Sequence, residues 1–253
     1  MAELVQSVLR AYQVLRVFGP NTGPLTVREI AARSGIPRST CHSLCATLAH
    51  VSMLEALPGG GYQLGSAQAW LGAQAFERMG LVEATRAQVD QLQRAGYACV
   101  SVSQYVPRGW IVVLYRTGDV TAHRVGGLGT RCPAYTCVEG QVVLASMSAA
   151  ECDDILCPAD ATRLAADEAP EDARAGLAVL LARAREQGYL VSDQAGPQTR
   201  TIACPIRGWS GTGVGALSVT VNAQSLTRKK LADAAERLCE AAAAVSPRAT
   251  GLG

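Results

Sequence analysis

Thr26-Val27-Arg28-Glu29-Ile30-Ala31-Ala32-Arg33-Ser34-Gly35-Ile36-Pro37-Arg38-Ser39-Thr40-Cys41-His42 decides the fold, because it writes two helices and the tight turn between them. Thr26 and Glu29 have the spacing of a capping box, in which each side chain satisfies a free amide at a helix start. The helix that follows carries Ile30 and Ala31 inward and stops at Ser34-Gly35. Gly35-Ile36-Pro37 makes the turn, and Pro37 suits the first turn of the next helix because its missing N–H would go unsatisfied there anyway. Residues 37–50 then place Cys41, Leu44, Cys45 and Leu48 on one stripe.

Upstream, Val5, Val8, Leu9, Tyr12, Leu15 and Val17 recur near helical spacing, so residues 4–18 are expected to form an amphipathic helix that ends at Gly19-Pro20-Asn21. Downstream, Met53-Leu54-Glu55-Ala56 and Tyr62-Gln63-Leu64 flank Pro58-Gly59-Gly60-Gly61, the pattern of a β-hairpin. Three helices followed by a hairpin is the layout of a winged helix-turn-helix. In such a unit the second helix of the motif lies in the major groove, and its N-terminal side chains meet base edges. With the apolar stripe turned to the core, the opposite face presents Arg38, Ser39, His42, Ser43 and Thr47, and Thr40 is placed for a backbone contact. Arg28 and Pro37 complete the candidate DNA-binding set. The glycine-rich wing lets backbone approach phosphates, although it carries no lysine or arginine.

Charge placement agrees with this. The net charge of +2 says nothing alone, but no acidic residue falls between Glu29 and Glu55, whereas Arg33, Arg38, His42 and His50 do. No apolar run is long enough for a membrane span, and the N-terminus lacks a basic start followed by an apolar stretch, so the expectation is a cytoplasmic protein. Nine cysteines without a CxxC pair, beside only three histidines, argue against a zinc site. In a reducing compartment most of these thiols are expected to be small buried hydrophobes, the Cys132/Cys137 pair included.

The rest of the chain predicts an α+β domain with a central sheet. Residues 66–79 form a linker helix broken near Gly80, and a second piece places Val82, Thr85, Val89 and Leu92 on its apolar face. Strands are expected over residues 100–105, 110–115, 121–125, 201–206 and 214–221. Helices are expected over 138–148, 150–156, 172–187 and 225–245. Gly211-Thr212-Gly213-Val214-Gly215 reads as a hairpin turn. The domains are expected at residues 1–65 and 81–253, joined by the helix of 66–80.

Several segments in chain order resemble the IclR-type transcriptional regulators. They are Val5-Gln6-Ser7-Val8-Leu9-Arg10-Ala11, Leu25-Thr26-Val27-Arg28-Glu29-Ile30-Ala31, Gly35-Ile36-Pro37-Arg38-Ser39-Thr40-Cys41-His42, Gly61-Tyr62-Gln63-Leu64-Gly65, Gly188-Tyr189-Leu190-Val191-Ser192-Asp193, Ile202-Ala203-Cys204-Pro205-Ile206 and Ala216-Leu217-Ser218-Val219. The resemblance implies an N-terminal winged helix, a linker helix that helps dimerise, and a GAF-like C-terminal domain that binds a small-molecule effector. It implies double-stranded operator DNA as a partner, assembly as dimers or tetramers, and no cofactor. Carried over by position, the effector-lining residues are Val138, Glu139, Ser192, Thr199, Thr201, Ser218 and Thr220. Strand alternation independently puts Thr199 with Thr201 and Ser218 with Thr220.

Two departures from that family stand out. Ser43 occupies a position that the family usually fills with a basic residue. Tyr135-Thr136-Cys137-Val138-Glu139-Gly140-Gln141-Val142 replaces the family's His-Ala-Ser-x-x-Gly-Lys-Ala. Hydroxyls with one carboxylate suit a neutral hydroxylated or cationic effector, unless Glu139 is an N-terminal helix acid facing solvent, which the helix dipole would also favour. Other readings are a winged helix used only for protein contact, a thiol-based redox regulator, and an enzyme. Against the enzyme, the sequence shows no nucleophile–base pair, Gly-x-Ser-x-Gly, phosphate loop or metal-ligand spacing.

Overall fold

The computed structural model describes residues 4–19, 22–78, 80–106, 110–118, 129–156, 171–193 and 198–245. It divides into two compact units, residues 1–79 and 80–253. No helix among the described residues is long and apolar enough to cross a membrane.

The first unit contains α1 (Gln6–Arg16), α2 (Val27–Ser34), α3 (Arg38–His50), the hairpin β1 (Leu54–Leu57) and β2 (Gly61–Leu64), and α4 (Ser66–Arg78). The capping box of α2 is present: Glu29 N donates to Thr26 Oγ1 at 3.3 Å, and Thr26 N donates to Glu29 Oε2 at 2.8 Å. Gly35 ends the helix at φ 71°, a left-handed conformation that suits a residue without a Cβ. The core gathers Val14, Leu25, Ile30, Ile36, Cys41, Cys45, Leu48 and Leu54. Leu25 and Tyr62 bridge antiparallel, which adds a third short piece to the wing.

One expectation changes here. Of the apolar stripe on this helix, Val5 (62%), Val8 (65%), Leu9 and Tyr12 are exposed, Leu15 and Val17 pack partly buried against the core, and the fully buried residue is Val14. The helix has apolar residues on more than one face, and its own unit covers Val14 with Ala11, Leu15, Val17 and Phe18 while leaving the Val5 and Val8 side open.

The second unit contains α5 (Leu81–Arg94), β3 (Cys99–Val106), β4 (Trp110–Arg116), β5 (Arg131–Pro133), α6 (Val138–Ala145), α7 (Ala149–Leu156), α8 (Glu171–Gln187), β6 (Leu190–Ser192), β7 (Thr199–Arg207), β8 (Gly213–Asn222) and α9 (Arg228–Val245). The strands form one antiparallel six-stranded sheet in the order β5-β4-β3-β8-β7-β6. α6 packs on one face with Ile111, Val113, Ala203 and Ala216, backed by Leu177 and Leu181 of α8. On the other face α9 meets β7 where Cys204 faces Cys239.

Two short strands, β5 and β6, were not legible as strands. The expected strand over 121–125 lies outside the described residues. The glycine-rich turn is corrected: Gly213 and Gly215 belong to β8, and the connection is Gly208–Thr212, closed by Gly208 N donating to Thr212 O at 2.9 Å.

Candidate functional site

α3 is amphipathic in the sense needed for reading a groove. Cys41, Cys45 and Leu48 face the core, while Arg38, Ser39, His42, Ser43 and Thr47 are exposed and Thr40 is half-buried. Arg28 and Pro37, at the N-termini of α2 and α3, are also exposed. Ser43 Oγ donates to Ser39 O at 3.3 Å and Thr47 Oγ1 donates to Ser43 O at 2.9 Å. With their protons turned into the helix, both hydroxyls present acceptor lone pairs outward, the complement of amino groups on base edges. The acids that bracket the face are engaged elsewhere. Glu29 accepts from Thr26, which lowers its pKa from the ordinary 4.5, and Glu55 accepts from Gln63 Nε2 at 2.7 Å. Burial pushes the Cys45 thiol up to about 12, so it behaves as an apolar filler beneath this face.

The second constellation lies between α6 and the sheet. Strand register sets Ser192, Thr201, Thr220 and Cys99 in one row across β6, β7, β8 and β3. The next row is Leu190, Ala203, Ser218 and Ser101. Paired residues point to the same side, so this face is polar although it is covered. Thr201 and Thr220 share a hydrogen bond at 3.1 Å. Ser218 Oγ donates to Glu139 Oε1 at 3.0 Å, and Glu139 is only 1% exposed. The solvent-facing reading of Glu139 is therefore overturned. Every residue of α6 is buried, because the sheet and α8 enclose it from both sides.

Of the residues carried over as effector lining, Glu139 and Ser218 touch, as do Thr201 and Thr220, and Ser192 sits beside Thr201. Val138 is buried next to Glu139. Thr199 is half-buried near the edge, where Arg200 forms an ion pair with Asp193. Sequence reasoning missed Ser101 and Ser103, both buried on the same face. Their signal was the alternation Val100-Ser101-Val102-Ser103, which places both serines on one face of the strand. The Ser103 hydroxyl has no hydrogen-bond partner among the described residues. Also among the described residues, no group of three or more His, Cys, Asp or Glu side chains is placed to hold a metal ion.

Comparison with known proteins identifies both units of the chain. The model of the IclR helix-turn-helix domain matches residues 7–58, and that of the bacterial transcriptional regulator IclR C-terminal domain matches residues 73–247. The HTH-type transcriptional regulator XynR of Escherichia coli is 26% identical over 250 residues, covering 98% of each chain. The probable HTH-type regulator ArcR of Halobacterium salinarum is 26% identical over 223 residues, covering 85% of this chain and 82% of its own. Among solved structures, an IclR family regulator from Brucella abortus superposes with TM-score 0.76 at 25% identity, covering 96% of this chain and 92% of its own. An IclR homologue from Microbacterium hydrocarbonoxydans, solved in complex with 4-hydroxybenzoate, gives 0.72 at 21% identity over 95% of this chain and 97% of its own. Two family models in order, spanning both units, leave one conclusion: the chain belongs to the IclR family of DNA-binding transcriptional regulators, which are not enzymes.

Proposed function

We propose that this regulator reads an operator through the exposed face of α3 and is controlled by a small effector held against the polar face of the sheet by Glu139. The proposal extends to repression of nearby catabolic or metabolic genes in the cytoplasm. The observation that carries DNA reading is the exposed set Arg38, Ser39, His42, Ser43 and Thr47 on a helix whose other side is locked into the core. Arginine forks onto guanine, and outward hydroxyl lone pairs accept from adenine or cytosine amino groups. Arg28, Pro37 and Thr40 fix register against the phosphates.

A single winged helix covers little DNA, so two copies on a near-palindromic site are the economical arrangement. Val5 before α1, Val8 and Leu9 on it, and Trp70 and Leu71 on α4 supply exposed apolar surface for self-association as a dimer or tetramer. A nuclease footprint on the upstream DNA tests this reading. Two protected half-sites one helical turn apart, about 34–36 Å, are expected; the absence of any protected site counts against it.

The effector site favours a ligand that offers donors. An ionised carboxylate accepts hydrogen bonds and gives none, and a ligand carboxylate beside it would meet like-charge repulsion. Val138, Ser192, Thr199, Thr201, Ser218 and Thr220 supply the rest of the lining, to which Ser101 and Ser103 are added. The relative bound to 4-hydroxybenzoate holds an aromatic acid. Here Glu139 shifts the preference to a neutral hydroxylated or cationic molecule. Such an effector controls DNA binding only by preferring one of the DNA-competent and DNA-incompetent arrangements.

A further inference from the structure

Cys204 on β7 and Cys239 on α9 meet on the side of the sheet opposite Glu139. Strand alternation explains the placement: Thr201 and Ala203 turn toward α6, so Cys204 turns toward α9. Their Sγ atoms stand 2.6 Å apart. A disulfide bond is about 2.05 Å long, and this contact puts the two sulfurs within reach of one. Cys204 is buried, whereas Cys239 is half-exposed and is the sulfur an oxidant reaches first.

The protonation pattern runs the same way. The hydrogen bond with Cys204 holds the Cys239 thiol below its ordinary value, while that hydrogen bond and burial push Cys204 up. Cys132 and Cys137 form a second close pair, at 3.2 Å. There the hydrogen bond with Cys132, burial and the charge of Glu139 all push Cys137 up.

We propose that Cys204 and Cys239 form a dithiol that a hydroperoxide oxidises to a disulfide fastening α9 to β7. The Cys239 thiolate attacks the terminal peroxide oxygen: an S–O bond forms, the O–O bond breaks, and the departing alkoxide or hydroxide takes a proton. The Cys204 sulfur then attacks the Cys239 sulfenic acid: the S–S bond forms, the S–O bond breaks, and the hydroxide leaves as water with the Cys204 proton. Two thiols and one peroxide give one disulfide, one alcohol (water when the oxidant is hydrogen peroxide) and one water. The peroxide is reduced by the two electrons that the sulfurs lose.

The test uses the full-length protein, reduced, freed of reductant and titrated with hydrogen peroxide, followed by thiol counting and a non-reducing peptide map. The expected result is the loss of two of the nine alkylatable thiols, a mass lower by two hydrogens, and Cys204 and Cys239 peptides linked until dithiothreitol is added. In Cys204→Ser, dimedone should trap the sulfenic acid on Cys239. Because the map is made on the native chain, poor folding of that variant does not spoil the test. Retention of both thiols at a peroxide dose that oxidises another cysteine of the chain overturns the proposal, as does a disulfide elsewhere in their place.

Discussion

Ser218 Oγ donates to Glu139 Oε1 at 3.0 Å, across 79 residues of sequence and out of reach of solvent. Removing the hydroxyl leaves a buried carboxylate oxygen short of a donor, which costs about 1–3 kcal/mol. Ser218→Ala is therefore expected to lower the melting temperature by several degrees, at roughly 2–4 °C per kcal/mol for a domain of this size. Differential scanning calorimetry checks it, and an unchanged transition would show the bond to be idle.

Glu139→Gln keeps the shape and removes the charge. For an effector that donates to the carboxylate, affinity should fall about tenfold or more, the loss of one charge-assisted hydrogen bond worth roughly 1.5–3 kcal/mol. A thermal-shift screen of polyols, amines and aromatic acids supplies the ligand, and calorimetric titration measures the change. Equal affinity of the native protein and Glu139→Ala for that ligand would remove Glu139 from recognition.

The capping box of α2 gives a pH-dependent prediction. The side-chain hydrogen bond of Thr26, followed by its backbone N–H, lowers the Glu29 pKa below 4.5. A lowered carboxylate contributes stability that is present above the unfolded value and is lost as pH falls through the folded one. Thr26→Ala should cost about 1 kcal/mol near neutrality and flatten the acid side of the stability curve of the first unit. Acid titration followed by circular dichroism distinguishes this from a substitution with no pH dependence.

Gly215 sits where β8 passes β3, and a Cβ there would lie 2.4 Å from Ser103 O and 2.8 Å from Leu81 Cδ2. Gly215→Ala must displace backbone, and overpacking of this kind costs about 1–3 kcal/mol. Chemical denaturation should show that loss. A neutral substitution would mean that the strand crossing yields more readily than its backbone contact implies.

Legibility in the sequence followed the range of the interactions. The Thr26–Glu29 box and the Cys41, Cys45, Leu48 stripe were readable because each is decided within one or two helical turns. α6 had no such handle: all its residues are buried, so no polar face told which way Glu139 points. Ser101 and Ser103 were missed because strand alternation puts them on one face without saying which element covers it, and here α6 does. Strands β5 and β6, each of three residues, are too short for a period and take their pairing from neighbours. Cys204 and Cys239, 35 residues apart, meet only because α9 returns to β7.

The central claim, that the α3 face reads DNA, is tested most directly by fluorescence anisotropy of the native protein and Arg38→Ala on the upstream promoter duplex, titrated against salt. The account predicts saturable binding that exceeds binding to a scrambled duplex and weakens with salt at a slope of about −0.9 per phosphate contact. With Arg38→Ala it predicts either a slope smaller by about one or a loss of sequence preference. Binding that does not distinguish promoter from scrambled DNA, and that Arg38→Ala leaves unchanged, would contradict it.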